Sequence, residues 1–464
     1  MSKAKRTPRK PDLTQPQLFL DDTWIEDTSR IQRVWHEAKK YPEPVLTADC
    51  EWEYNCPVLY GTVLFHEGRF RMWYCAWSRK VPPRACYAES DDGVHWHKPK
   101  LGLHEVCGTK DNNVILQPTE EGGLIDDLTV IEDPEDEKWP LKMLFWDRHP
   151  FGIQLARSKD GIHWERAGLV MPDWGDRFNA VPQKVNGKYL LFGRAPGMFS
   201  HGYKGRVSWR TESSNLRSWS KPELVMQADH EDPPMREIYS ITAFPYGELL
   251  MGSIERMHMS PDKLDTEIIW SHDEGRTWQR SRTRPSFIPW GQPGHFDDTW
   301  INLPASGPIE VDGRLFFHYS GRSGAHAVSY PHNHGAIGLA TLRIDGFCSL
   351  MAAERPGVVE TAPMTWPGGD LLLNLDCRRD IYSHPSNTIT GDVRVEVRDK
   401  AGKPIKGFTF ADTDGVRGNS FRSEYGTHKW GNRSLDKLRG RAIRLSIEMR
   451  DAHLYAFKAA GSKR

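Results

Sequence analysis

The chain has 464 residues, of which 38% are hydrophobic, with 18 Trp, 18 Phe and 14 Tyr, enough apolar side chain to fill two or three cores and to exclude a disordered chain. Basic and acidic residues balance at 62 each, so no whole-molecule field recruits nucleic acid or an anionic membrane. No run of about 18 apolar residues occurs and no apolar stretch follows the basic start Met1–Lys10, so a cytoplasmic chain without membrane span or secretory signal is expected; the seven scattered cysteines lack C-x-x-C spacing and read as free thiols.

Residues 1–17 are basic and proline-containing and read as a mobile tail. From Leu18 to about residue 50 the chain reads as a lead-in that wraps the following ring or closes it. A repeated pattern then begins: a strand, a tight turn, a strand rich in aromatics and closed by an arginine, a loop, a third strand, and an acidic turn ending on tryptophan. The second strands are Arg69–Tyr74, Leu141–Trp146, Lys188–Phe192, Glu248–Met251 and Arg314–Tyr319, each after a turn signal such as Glu67-Gly68, Asn186-Gly187 or Asp312-Gly313. The acidic turns are clearest at Ser90–Trp96, Ser158–Trp164 and Ser271–Trp278, degenerate at Glu212–Trp219, with Arg343–Phe347 in the fifth place. Self-similarity at a period of roughly 50 to 70 residues, built from short strands, is the signature of a β-propeller. Five copies predict five blades.

Beyond about Arg355 the pattern changes. Gly391–Arg398 and Ile443–Arg450 alternate apolar and polar residues, the period of strands with one buried and one wet face, and Gly369–Asp376, Gly407–Phe410 and His453–Lys458 read as further strands. The predicted fold is all-β: a five-bladed β-propeller over residues 18–354, lead-in included, followed by a C-terminal β-sandwich over 355–464.

Propeller geometry sorts the charged residues by face. The acidic turns join the third and fourth strands on one face, where Ser and Asp staple the backbone and Trp packs between blades. On the other face an acid stands near the start of every inner strand: Glu53, Asp126-Asp127, Asp176, Glu237 and Asp297-Asp298. An arginine ends every second strand there: Arg79, Arg148, Arg194, Arg256 and Arg322. Either the two rings pair as buried ion networks, or one or two carboxylates are catalytic while arginines orient substrate. Trp52, His149, Tyr239, Trp300 and the segment His326–His334 crowd the same face, and flat aromatics with forked donors suit sugar rings. His332 and His334 at i,i+2 without a third ligand are a weak metal signal, and no cofactor or metal is expected.

The segments Gly61-Thr62-Val63 leading to Arg71–Tyr74, Ala88–Trp96 and Ile337–Phe347 resemble the five-bladed propeller glycoside hydrolases of families 32, 43, 68 and 117, in particular poorly characterised bacterial family-32-like proteins that carry a C-terminal sandwich. In the characterised families three acids on the first three inner strands act as base or nucleophile, pKa-modulating aspartate and general acid. The resemblance places these roles on Glu53, Asp126 or Asp127, and Asp176. This chain lacks the Trp-Met-Asn-Asp-Pro and Arg-Asp-Pro signatures of the fructan hydrolases and has Asp176 where a glutamate is usual, which brings Glu237 and Asp298 into the candidate set. Because glutamate reaches about one methylene further toward the axis, Glu237 is expected as proton donor and Glu53, aided by Asp126 or Asp127, as base or charge stabiliser. The expected activity is an inverting glycoside hydrolase that removes a terminal sugar from an oligosaccharide. The candidate catalytic residues are Glu53, Asp126, Asp127, Asp176, Glu237 and Asp298, and the substrate contacts are Trp52, Arg79, Arg148, His149, Arg194, Tyr239, Arg256, Trp300, Arg322 and His334. The alternatives are a polysaccharide lyase working through His or Tyr on a uronate, and a sugar-binding propeller without catalysis. No nucleic-acid or membrane partner is expected, and sequence leaves the oligomeric state open.

Overall fold

The computed structural model describes residues 11–78, 81–119, 121–196, 205–326, 334–377, 391–413, 415 and 425–461. Among these the only helices are the 3-10 turns Phe410–Asp412 and Leu435–Leu438, so the protein is all-β. The chain divides into two compact units.

One unit, residues 37–310 and 315–342, holds five blades. The first is Cys56–His66, Arg69–Trp77, Arg84–Ser90 and Val114–Leu116; the second Ile125–Glu132, Leu141–Asp147, Gly152–Ser158 and Trp164–Pro172; the third Phe178–Ala180, Tyr189–Gly193, Ser208–Ser213 and Glu223–Met226. The fourth is Arg236–Tyr246, Leu249–His258, Lys263–Ser271 and Gln279–Arg280. The fifth has a broken inner strand, Trp300–Asn302 and Ile309–Val311, then Arg314–Ser323 and His334–Arg343. Its outermost strand comes from the other end of the unit: Lys39 and Lys40 pair antiparallel with Thr341 and Ala340. The lead-in therefore closes the ring, one of the two roles expected for it. The fifth turn, Arg343–Phe347, is made, with Gly346 N bonding the Arg343 carbonyl at 3.0 Å, but it leads the chain out of the blade instead of back into a fourth strand.

Five hydrogen bonds join the inner strands in a closed cycle. Val130 N donates to Thr62 Oγ1 at 2.9 Å, Ala180 N to Thr129 Oγ1 at 3.2 Å, Asn179 Nδ2 to Ser240 Oγ at 2.7 Å, Thr242 Oγ1 to the Leu303 carbonyl at 3.2 Å, and Thr62 Oγ1 to the Ala305 carbonyl at 3.2 Å. The side chains of Thr62, Thr129, Asn179, Ser240 and Thr242 are polar and buried, so each needs its partner across the blade boundary. Between blades, apolar side chains fill the wedges; Tyr60, Trp73, Leu128, Phe145 and Trp300 share one such cluster.

The acidic turns are staples, as the sequence predicts. Asp160 Oδ1 accepts from Ile162 N at 2.9 Å and His163 N at 2.8 Å, Gly161 N donates to Ser158 Oγ at 2.9 Å, and the Trp164 indole returns to the Gly161 carbonyl at 2.9 Å. Asp92 repeats the pattern, Asp273 does so through Thr277, and Asn215 supplies the same acceptor in the degenerate third copy.

The second unit, residues up to His36, Val311–Arg314 and from Arg343 onward, is a pair of antiparallel sheets. One contains Gln17–Leu18, Gln32–Trp35, Cys348–Ala352, Ala452–Ala459, Leu371–Asp376 and Gly426–His428; the other Ile25–Ser29, Gly357–Thr361, Met364–Thr365, Asp392–Asp399 and Ala442–Arg450. Phe19, Trp366, Val395, Trp430, Ile447 and Phe457 are among its core residues. The division differs from the expected 17/18 and 354/355 boundaries: Leu13 is buried in this core, and Gln17–Leu18, Ile25–Ser29, Gln32–Trp35 and Cys348–Ala352 are ladder strands of it. Gly407–Phe410 is not a strand. Gly407 has a φ of +87° and Thr409 caps the short 3-10 turn by bonding Asp412, so local turn chemistry overrides the apolar pattern.

Candidate functional site

The starts of the inner strands and the ends of the second strands meet at one face of the ring, and there the charges sort into those that are consumed internally and those that are left open. Asp126 and Asp127 open the inner strand of blade two, and strand alternation sends neighbouring side chains to opposite sides. Asp127 is fully buried. Its Oδ2 accepts from Arg177 Nη1 at 2.7 Å and Phe178 N at 3.2 Å. Burial pushes its carboxyl up to about 7 despite the arginine.

Asp126 takes the other side and keeps partial exposure. Desolvation, then the neighbouring charges of Asp176 and Asp127, push it up to about 8, against the pull of Arg194 and Arg322. It is therefore a carboxyl that holds its proton at neutral pH. Asp176, whose side chain is 46% exposed, is held by Arg194 Nη1 at 2.6 Å, so this face sets a carboxyl of raised pKa beside an arginine-bound one.

Arg177 is the buried post of this face. It is 2% exposed, its fork reaches Asp127 on one side and Glu255 on the other, and its guanidinium lies 4.1 Å from the Tyr60 ring centroid. Above it stands an aromatic wall: Trp300 stacks on His326 at 4.9 Å and 15°, and Tyr239 meets both edge-on. Arg322 lies 3.9 Å from the Trp300 centroid and 5.3 Å from that of Trp77, and Arg194 lies 4.6 Å from that of Tyr239. Burial and then Arg206 and Arg322 push the His326 imidazole down to about 4, so the ring is neutral. Nε and Nη2 of Arg194 and Nε of Arg322 are buried without a hydrogen-bond partner.

Of the expected site residues, Asp126, Asp127, Asp176, Arg194, Tyr239, Trp300 and Arg322 come together here. Glu237 sits at the rim, paired with Arg206 at 2.6 Å. Glu53 does not reach the pocket. Its side chain is fully buried, with Oε1 taken by the Tyr74 hydroxyl and Oε2 by Lys98 Nζ at 2.7 Å and Asp49 N at 3.3 Å. Burial raises its pKa against the pull of Lys98. Trp52 is spent beside it, its indole donating to Asn113 at 2.9 Å in the core of blade one. Asp49, Cys50 and Glu53 form a metal-like grouping, but the Lys98 ammonium already fills the position a cation would take.

Asp297 is buried against Lys40 and Tyr319 at 2.7 and 2.8 Å, and Asp298 folds back onto Gly294 N at 2.8 Å. Arg256 serves blade four, bidentate to Asp265 at 2.9 and 2.6 Å. Arg148, His149 and His334 are exposed. Arg79, His332 and residues 327–333 of the segment His326–His334 lie outside the described residues.

Sequence reading missed Arg177, Arg206, Tyr60, Trp77 and Glu255 and did not single out His326. Arg177 carried a signal: it is the lone charge in the run Arg177-Phe178-Asn179-Ala180-Val181, and a charge inside an inner strand must find buried partners.

No family model matches the chain. A 1,2-β-oligomannan phosphorylase of Thermoanaerobacter sp. (strain X514) is 28% identical over 194 residues, covering 40% of this chain and 59% of that protein; the chain thus spans about three fifths of the length of the curated relative it matches. Among solved structures, an N-acetylgalactosamine deacetylase from F. plautii overlaps 69% of this chain and 97% of its own at 15% identity and a TM-score of 0.46. A structure described with the GH130 family of mannoside phosphorylases, which contains glycoside hydrolases that target β-1,2 mannosidic linkages in Candida mannan, overlaps 67% and 94% at 14% identity and a TM-score of 0.44. The five-bladed architecture fits the resemblance to propeller glycoside hydrolases, and the sequence likeness found is to a 1,2-β-oligomannan phosphorylase.

Proposed function

We propose that the chain cleaves the terminal glycosidic bond of an oligosaccharide bound in the axial pocket, with Asp126 as proton donor. The observation that carries this reading is the partly exposed Asp126 carboxyl at about 8 beside the Arg194-held Asp176. Glycoside cleavage needs one protonated and one ionised carboxyl; the raised Asp126 suits the first role and the arginine-bound Asp176 the second. Asp126 gives its proton to the leaving oxygen as the bond to the anomeric carbon breaks. Water adds to that carbon and loses a proton to Asp176, which makes the hydrolysis inverting. The partly exposed His326 ring, backed by Trp300, supplies a flat face for the sugar ring.

A second reading, phosphorolysis, is favoured by the Arg194 and Arg322 guanidinium groups that act on Asp126, since such cations suit an anion in the place of water. It is also the activity named for the relative that is 28% identical. Asp126 keeps its role in either reaction. Turnover is to be measured on β-1,2-mannooligosaccharides, terminal furanosides, neutral pyranosides and uronate-containing oligosaccharides, with and without inorganic phosphate. A free reducing sugar marks hydrolysis, a sugar 1-phosphate marks phosphorolysis, and an unsaturated product marks a lyase. Asp126→Asn removes the titrating group at constant shape, and near-normal rates in that variant, or no turnover by the parent, overturn the proposal.

A further inference from the structure

Four blades and one differ in a way the axial chemistry does not use. Between the first and second strands, blades one, three, four and five make short turns at Glu67-Gly68, Asn186-Gly187, Gly247-Glu248 and Asp312-Gly313. Blade two instead inserts residues 133–140. The insertion is anchored: Asp133 is bound by Lys142 and Lys184 at 3.0 Å each and by the Tyr189 hydroxyl, Asp133 N bonds the Pro140 carbonyl at 2.8 Å, and Trp139 N bonds the Asp136 carbonyl at 3.2 Å. Its product is one half-exposed tryptophan, Trp139.

Trp139 lies on the side of the acidic turns, opposite the axial pocket, where it and Trp164 line a groove of about 390 Å³ with Lys159, Asp160, His163 and Glu165. The Arg157 guanidinium lies over its ring at 4.6 Å and is held there by Glu165 at 3.1 Å. Its indole Nε1 is buried, so what this half-exposed ring offers a ligand is apolar surface and not its N–H. An aromatic ring bordered by cationic and anionic hydrogen-bonding groups matches a pyranose, with its apolar face and rim of hydroxyls.

We propose that blade two carries a second carbohydrate-binding site, built on Trp139 and separate from the axial pocket, that takes a pyranose unit of a longer glycan. The site holds the polymer while the axial pocket works on a chain end, and it stands whether that pocket hydrolyses, phosphorolyses or only binds.

The test uses the full chain carrying Asp126→Asn, so that no turnover disturbs the measurement, in affinity gel electrophoresis through yeast mannan, xylan, arabinan and β-glucan. Retardation by at least one polymer is expected, weakened about tenfold or more by Trp139→Ala and by Trp139→Leu and restored by Trp139→Phe. Trp139→Leu keeps apolar bulk and so secures the reading if the alanine variant folds poorly. In the otherwise natural chain, Trp139→Leu leaves turnover of a short oligosaccharide unchanged. No retardation by any polymer, or equal retardation of parent and Trp139→Leu, overturns the proposal.

Discussion

The acids of the two propeller faces share a side chain and little else. At the acidic turns, Asp92 and Asp160 each accept two backbone N–H groups and a serine hydroxyl within three residues of themselves. Although burial works against it, His163 and the N–H of Ile162 pull Asp160 down to about 2. At the axis, Asp126 and Asp127 face other carboxylates in a desolvated space and are driven the opposite way, to about 8 and about 7. Local chain satisfies a turn; only the closed ring assembles the pocket. An acid that its own loop can satisfy serves architecture, and one left among like charges is available for proton transfer.

Replacing the post that holds the axial charges apart should have the largest effect. Arg177→Met strips Asp127 and Glu255 of their shared cation, and breaking such a buried network costs about 3–5 kcal/mol, read as a lower denaturation midpoint with intact slope. Asp126→Asn is expected to lower turnover at least ~100-fold, the lower end of what a positioned acid contributes, without destabilising the fold; unchanged turnover would return the donor role to Glu237. Glu53→Gln distinguishes burial from catalysis, since it weakens the buried contacts with Lys98 and Tyr74 by about 1–3 kcal/mol while leaving the kcat of folded protein near normal. Asp160→Ala is smaller still: its carboxylate is 48% exposed, so loss of the turn acceptor should lower stability by about 1 kcal/mol with no change in kcat.

The two faces also respond to pH with opposite sign. Asp126 is raised in the folded state, so its stabilising contribution is complete below the ordinary carboxylate range and is lost as pH rises through about 8. Asp160 is depressed, so its contribution is complete above that range and is lost as pH falls toward about 2. Asp126→Asn should therefore flatten the fall in stability between the ordinary carboxylate range and about pH 8, and Asp160→Asn the acid limb. A variant that flattens the other limb breaks the comparison.

Much of the architecture was legible because it is local. Turn chemistry at Asp160-Gly161 and alternation at Gly391–Arg398 are written in adjacent residues, and repetition converts them into blades and sandwich strands. The ring of acids was legible for the same reason, as a matched position in each repeat. Which acid stays open was not, because it depends on partners far along the chain: Lys98 for Glu53, Glu255 and Arg177 for Asp127, Lys40 for Asp297. The arginines show the same limit. Arg194 and Arg322 reach the pocket, while Arg256, at the corresponding place, is captured by Asp265 within its own blade.

The strand that completes blade five has a consequence for how the molecule is made. Lys39 and Lys40 are synthesised before any blade, yet their partners Thr341 and Ala340 emerge only after four blades have left the ribosome. Throughout synthesis the leading segment is thus without its ladder, and the final bonds span about 300 residues of chain, a separation whose closure entropy grows only logarithmically with length but whose contact order is as long-range as this unit provides. Blades one to four can form as they appear; the ring cannot lock until the fifth is complete. Transposing the Lys39–Lys40 strand to follow residue 343 would turn the last and most distant pairing into a hairpin, and refolding should accelerate if closure sets the rate.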